Sequence, residues 1–353
     1  MREKSLFVLK LAAIYAVAAL VGYLASLISI PLPWMIGPVI ISATLTLTGI
    51  VKITIPTGTR PFGQAVVACQ VGHYFTPLAF ASLIASAPKM LLLAVLIVLG
   101  SFTVALVLSR LGGIGLTNAV IATIPTSPIE AAVIAEKYGF DIGPVILSQT
   151  LRVVAVVVVI PLVIFAIGGR AEGAGTGTYI GFDLWPNLLL ALICYLGMVL
   201  FQRLRISNPY FLGPLFVTAV LTAAGFVLSP VPTMVLCLGQ IVLGTWLGSM
   251  MRRSTFARAG KMMGAAVFTT FLFIFGAAGL AVLTAYVFEL QWELMALAAA
   301  PGGLTEMALT ASYIGTNVAL VTAFHITRLF LVIPNVPWII RLSMKLEQGH
   351  ARR

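Results

Sequence analysis

The sequence predicts an all-α polytopic membrane protein built from two inverted repeats, each with about five transmembrane helices plus one broken or re-entrant segment. Three observations predict it: continuously apolar runs long enough to span a bilayer, a gap-free internal repeat, and a lopsided distribution of Lys and Arg.

The runs come first. The chain of 353 residues is 60% hydrophobic and only 9% charged, with a mean hydropathy of +1.10. Stretches such as "LFVLKLAAIYAVAALVGYLASLISI" and "KMLLLAVLIVLGSFTVALVLS" are long enough to cross roughly 30 Å of hydrocarbon as helices. They lack the in/out alternation of a membrane barrel strand, and a soluble enzyme is excluded. In the first half the apolar segments cover 6–30, 34–51, 62–84, 88–109, 114–138 and 143–167. The first follows Arg2, Lys4 and Lys10 as a secretory signal would. It is too long for a signal and has an internal counterpart near 186–202, so it is assigned as a transmembrane helix.

The repeat comes second. Shifting the chain against itself by 176 residues places "PWMIGPVIISATLTLTGI" on "PYFLGPLFVTAVLTAAGF", so that Pro33, Gly37 and Pro38 meet Pro209, Gly213 and Pro214. The same shift carries Gln64 onto Gln240, Ala68 onto Gly244, Gly72 onto Gly248, Glu130 onto Glu306 and Arg152 onto Arg328. A single offset preserving Pro, Gly, Gln, Glu and Arg reads as a tandem duplication. The expected organisation is a first membrane repeat over 1–167, a Gly-rich linker over 168–185 containing "GGRAEGAGTGTYIGFD", and a second repeat over 186–353.

Charge sets the topology. If all six segments of each half cross, the halves run parallel. If the fifth, 114–138 and its counterpart 290–314, enters and returns to its own side, the second half is inverted. The inverted arrangement puts seventeen of the 21 Lys and Arg inside, leaves only Lys89 and Arg170 outside, and keeps Arg152 and Arg328 within the membrane. Six crossings would split the loop charges eleven to eight. Positive-inside bias therefore favours inversion, with both termini cytoplasmic and the protein in the inner (plasma) membrane.

The fifth segments hold the candidate site. "PTSPIEAAVIAEKYG" and "PGGLTEMALTASYIG" interrupt apolar sequence with Pro, Gly, Ser and Thr, leaving backbone groups unpaired at a depth where only protein or a wet cavity can satisfy them. Pro125, Thr126 and Ser127 in one tip, and Pro301, Gly302, Gly303 and Thr305 in the other, supply hydroxyls and amides beside half-helix N-termini, a setting for anions. Glu130 and Glu306 follow the tip prolines by five residues. They either cap the returning half-helix or bind a proton or cation, as intramembrane acids commonly do. Arg152 and Arg328 lie nine to ten residues into the sixth segments, where a lone arginine costs about 2.5–3.5 kcal/mol on insertion scales and calls for a carboxylate partner, Glu130 and Glu306 being nearest. The pairs could be static, or could open so that arginine holds an anionic cargo. Gln149 and His325 precede these arginines by three residues and share their helical face. His325 could couple protons or simply bond a carbonyl. Gln64 and Gln240 are weaker candidates, because a membrane glutamine often only bonds a neighbouring helix, and Ala68, Gly72, Gly244 and Gly248 suit close helix packing.

Other functions find little support. The +11 charge is spread over loops and tails, as in cytoplasmic loops of membrane proteins, so direct nucleic-acid binding is not expected. Cys69, Cys194 and Cys237 have no metal or redox spacing. No nucleotide loop or catalytic triad is visible, so the chain is expected to be neither enzyme nor pump and to need no cofactor or metal.

"PLPWMIGP", its echo "NPYFLGP", and the paired "PTSPIEAA" and "APGGLTEMA" resemble the membrane AbrB family, also called the AbrB duplication family, over nearly the whole chain. Members of that family carry three kinds of description: ammonia monooxygenase, regulator of gene expression, and transporter related to the cation/proton antiporter and anion transporter superfamily. The soluble DNA-binding AbrB regulators share only the name. Nothing in the residues supplies the copper or di-iron ligands of a monooxygenase. The superfamily link implies an elevator-like secondary transporter. The expectation is thus ion-coupled transport of a small organic anion or amino acid with protons or sodium, by alternating access at a midplane site, with a possible homodimer by analogy. The alternative is a membrane sensor or regulatory protein that affects gene expression without transport.

Overall fold

A computed structural model describes residues 2–50, 55–168, 183–257 and 259–351. Among these the chain is helical and contains no β-strand. The Gly-rich linker expected over 168–185 lies almost wholly outside the described residues.

The helices follow the repeat. The first half contributes α1 (Arg2–Leu27), α2 (Pro33–Thr48), α3 (Arg60–Gly72), α4 (Pro77–Gly112), α5 (Leu116–Thr123), α6 (Pro128–Lys137) and α7 (Ile142–Gly168). The second contributes α8 (Leu184–Arg203), α9 (Pro209–Ala223), α10 (Thr233–Ser249), α11 (Arg253–Ala257), α12 (Lys261–Phe288), α13 (Trp292–Ala299), α14 (Leu304–Ile314) and α15 (Val318–Ala351). A shift of 176 maps α5 onto α13 residue for residue, and the first residues of α2, α6 and α7 onto those of α9, α14 and α15. The local chemistry is repeated too: α2 and α9 each start at a proline after a left-handed residue, Leu32 (φ 48°) or Asn208 (φ 54°), and each carries an internal proline, Pro38 or Pro214. Proline fits the first turn, where its missing N–H is no loss.

The protein is a multi-pass membrane protein. Among the described residues seven helical spans are long and apolar enough to cross a bilayer: Phe7–Leu27, Pro77–Gly112, Ile142–Gly168, Leu184–Arg203, Thr233–Ala257, Lys261–Phe288 and Val318–Gln348. Their outward faces are apolar, with Leu188, Leu192, Leu196, Phe271, Phe275 and Tyr286 exposed. In water such faces would be an aggregation liability; in lipid they need no cover.

Two expected segments differ in detail. The stretch 62–84 is not one helix: α3 ends at Gly72, a turn follows, and α4 begins at Pro77, where Thr76 Oγ1 accepts from the Ala79 N–H. Proline at a first helical turn and a hydroxyl cap before it start a new helix more readily than they continue an old one. Residues 77–109 therefore run as part of one helix of 36 residues, α4, despite Pro88. The second half breaks at the corresponding place, between α10 and α11, and again between α11 and α12, where the first half's α4 is continuous.

Two compact units form, each drawn from both halves of the sequence. Unit 1 comprises Met1–Ala85, Pro161–Met250 and Ala308–Leu320; unit 2 comprises Ser86–Ile160, Met251–Met307 and Val321–Arg353. In unit 1 the helices approach at glycines. Gly63 faces the Gly239 carbonyl and Leu243, and Gly248 faces Val39, Ser42 and Ala43, while Ser42 Oγ donates to the Thr245 carbonyl at 2.7 Å. In unit 2 the equivalent helices α4 and α12 pack antiparallel. Gly112 at the end of α4 faces Met262 at the start of α12, whereas Lys89 near the start of α4 donates to the Phe288 carbonyl at the end of α12, at 2.8 Å.

Candidate functional site

Unit 2 contains both helix interruptions, at 124–127 and 300–303, while α14 passes into unit 1 from Ala308 onward. α5 stops because Ile124 precedes Pro125: the proline ring disfavours helical ψ in the residue before it, and Ile124 sits at φ −53°, ψ 137°. α13 stops for the same reason at Ala300, before Pro301, with φ −55°, ψ 132°. Each stop strands the carbonyls of a last helical turn inside a protein where water is scarce, and such groups must find donors.

The donors come from α7 and α15. Arg152 donates through Nη1 to the Thr123 carbonyl at 2.7 Å and through Nη2 to the Ile124 carbonyl at 3.4 Å and to Gln149 Oε1 at 2.6 Å. Gln149 Nε2 donates to the carbonyls of Ile121 and Ile124 at 3.2 and 3.0 Å. In the second half Arg328 donates through Nη1 to the Ala300 carbonyl at 2.9 Å and through Nη2 to the Gly302 carbonyl at 3.1 Å. Its Nη2 also lies 2.9 Å from His325 Nδ1, and His325 Nε2 lies 2.9 Å from the Leu297 carbonyl. All four side chains are buried. The guanidinium of Arg152 also stacks 5.2 Å from the Phe273 ring centroid, a favourable cation–π arrangement.

These contacts correct one expectation. From the sequence Arg152 and Arg328 are expected to find carboxylate partners, Glu130 and Glu306 being nearest; the hydrogen bonds of both arginines go instead to main-chain carbonyls and to Gln149 or His325. A helix C-terminus carries about half a negative charge, so a broken helix supplies anionic character at the depth where the arginine sits.

The returning half-helices begin with their own caps. Ser127 is the N-cap of α6: its Oγ accepts from the Glu130 N–H, and the Glu130 carboxylate accepts from the Ser127 N–H, each at 3.3 Å. This reciprocal box ties down two amides that the break would leave unpaired. We expect Ser127→Ala to cost about 0.5–2 kcal/mol, read as a lower thermal midpoint of the detergent-solubilised protein. Glu306 lies in the first turn of α14, and its carboxylate occupies the space a side chain at Gly303 would need. Gly302 faces Val156, one turn beyond Arg152 on α7, so the second break is packed on the helix that closes the first. Arg152 is within electrostatic reach of Arg328. Thr305 and Thr126 are buried, and Thr126 Oγ1 and Arg152 Nε have no hydrogen-bond partner among the described residues.

Not every candidate joins this group. Gln64 and Gln240 belong to unit 1, where Gln64 Nε2 donates to Asn208 Oδ1 at 3.1 Å. One residue escaped the sequence reading: Glu347 of α15 accepts from the Thr117 N–H at 3.0 Å and the Thr117 hydroxyl at 2.7 Å, closing the N-terminus of α5. No spacing rule links positions 230 residues apart. Among the described residues no three His, Cys, Asp or Glu cluster as a metal ion would require.

The fold and these breaks define a polytopic α-helical membrane protein with two interrupted helices whose carbonyl ends are closed by buried arginines. A family model described as "Transition state regulatory protein AbrB" matches residues 2–125 and 51–344, and the chain belongs to that AbrB family. A protein of Escherichia coli (strain K12) named "Putative regulator AbrB" is 24% identical over 323 residues, covering 91% of this chain and 92% of its own. A protein of Bacillus subtilis (strain 168) named "Uncharacterized protein YhjN" is 25% identical over 370 residues, covering 94% and 92%.

Proposed function

We propose that this protein is a secondary active transporter, not an enzyme, residing in the inner (plasma) membrane with both termini cytoplasmic. It moves a small organic anion or amino acid with protons or sodium, by alternating access around the paired helix breaks. The observation that carries this reading is the double interruption itself: two helices broken within apolar sequence, each closed at its carbonyl end by a buried arginine. Broken helices that line a central site are how many transporters expose backbone groups to cargo without exposing them to lipid. The antiparallel packing of α4 on α12 supports repeats that face opposite ways.

In this reading the parts are divided differently from a simple arginine clamp. The terminal guanidinium nitrogens are engaged by carbonyls, and the α6 cap holds the Ser127 and Glu130 amides, so the cargo's carboxylate is left the Leu304 and Thr305 amides at the start of α14, the unpartnered Thr126 hydroxyl and Arg152 Nε. Helix N-termini favour such anions. Glu306 is the group for the coupling cation.

Flux of radiolabelled small carboxylates and amino acids into proteoliposomes, under imposed proton or sodium gradients, tests the proposal. Thr126→Val removes no hydrogen bond and should leave thermal stability unchanged, yet reduce flux by about tenfold, the value of one good polar contact. Glu306→Gln should abolish the gradient dependence. A second reading, a membrane regulator, takes its support from the name of the E. coli relative. Saturable ligand binding with no flux under any gradient would favour it.

A further inference from the structure

We infer that His325 is a fixed, neutral positioning residue that aims Arg328 at the end of α13, doing with an imidazole what Gln149 does with an amide for Arg152. The two sites can be compared atom by atom. In the first half Gln149 offers a donor, Nε2, to the Ile121 carbonyl, and an acceptor, Oε1, to Arg152 Nη2. In the second half His325 presents Nε2 to the Leu297 carbonyl and Nδ1 to Arg328 Nη2. Leu297 stands 176 residues after Ile121, as His325 stands after Gln149, so amide and imidazole bridge equivalent backbone and side-chain atoms.

That geometry determines the protonation pattern. A carbonyl can only accept, so Nε2 carries a hydrogen. A guanidinium can only donate, so Nδ1 carries none. The imidazole is therefore the neutral Nε2–H tautomer, and a second proton at Nδ1 would set an N–H against the N–H of Arg328. The charged group in contact with His325 is Arg328 on its own helix, and α13 contributes only the Leu297 carbonyl. A primary amide has the same donor and acceptor at similar reach, and for that reason glutamine and histidine occupy equivalent positions.

The roles follow. Arg328 alone has a long, freely rotating stem, and His325, one turn earlier on α15, holds Nη2 so that the fork reaches the carbonyls of Ala300 and Gly302. The proton that moves in any coupled cycle then belongs to another group. This stands whether or not flux is found, because its readouts concern the resting protein.

The test uses the full chain, ¹⁵N-labelled at histidine, in lipid nanodiscs near neutral pH. The signal of His325 is assigned by its disappearance in His325→Gln; His73, whose two nitrogens both face carbonyls, gives a separate signature. We expect an unprotonated Nδ1 and a protonated Nε2. We also expect His325→Gln to keep the thermal midpoint within about 2 °C of the parent and His325→Ala to lower it by more than that; Gln149→His, which gives up the second amide hydrogen held by the Ile124 carbonyl, should lower it by less than Gln149→Ala. A protonated Nδ1, a His325→Gln variant as impaired as His325→Ala, or a His325→Ala variant as stable as the parent would each overturn the inference. The tautomer is read on the unmutated residue and needs, of the variants, only His325→Gln for its assignment, whose failure to fold would itself overturn the inference.

Discussion

Arg328→Ala is expected to be the most damaging substitution of a polar residue in the molecule, and Arg152→Ala the second. The cost does not come from a lost ion pair. Removing the Arg328 side chain strands the carbonyls of Ala300 and Gly302 and the acceptor nitrogen of His325. Each buried group left without a donor costs about 1–3 kcal/mol, and here no bulk water is at hand to substitute. Two stranded carbonyls alone bring the loss to about 2–6 kcal/mol, a large part of the stability of an ordinary domain. Arg328→Lys keeps the charge at the negative end of the helix but replaces the planar fork with one ammonium, which cannot span two carbonyls and an imidazole as the fork does. The predicted order in thermal unfolding of the purified protein is therefore parent, then Lys, then Ala. Glu130→Gln, by contrast, disturbs one arm of a cap and should shift stability by less than either. If Arg328→Ala unfolded at the parent temperature, the carbonyls of Ala300 and Gly302 would not depend on Arg328 for their donors, and the closure of the second break would have to lie elsewhere.

The sites of the breaks were legible in the sequence and the closures were not. Pro125 and Pro301 act on the residue just before them, so a local rule places the end of α5 and of α13 without reference to anything distant. The duplication was legible because one offset carries helix starts, prolines and glycines together. Which atoms meet Arg152 is a different kind of question. The sequence shows a cation at membrane depth and two acids within reach along the chain, but an interrupted helix hides its partial negative charge in the backbone, which is identical at every position. The partner was therefore chosen by side-chain chemistry when the structure uses main-chain carbonyls. The division into units was also beyond reach: hydropathy gives segments in chain order, whereas α1, α2 and α3 share a unit with α8, α9 and α10. The same limit hid Glu347, whose bond to Thr117 depends on where a long final helix ends.

The second large effect is expected at glycines, and its sign should change from one glycine to another. Helices in lipid gain little from hiding apolar surface from one another, so close packing of small residues carries much of the association. At the contact of α8 with α9, a Cβ on Gly213 would lie 2.5 Å from the Gly197 carbonyl oxygen, and one on Gly197 would lie 2.6 Å from the Gly213 oxygen. Both are backbone atoms that cannot swing away, so even alanine must force the two helices apart. Overpacking of this kind costs about 1–3 kcal/mol, and leucine at Gly213 should prevent unit 1 from forming. The equivalent contact of α1 with α2 is looser, with a Cβ on Gly37 meeting Gly22 backbone at 3.0 Å, so Gly37→Ala should cost less than Gly213→Ala. Gly100 in α4 and Gly276 in α12 have nothing within 4 Å of an added Cβ. There alanine brings only its better helix propensity, about 1 kcal/mol, and should raise the thermal midpoint. Because all four variants make the same chemical change, a series in which Gly276→Ala destabilised as much as Gly213→Ala would show that helix approach does not set the stability of this fold, whereas opposite signs would locate that stability in the backbone contacts of unit 1.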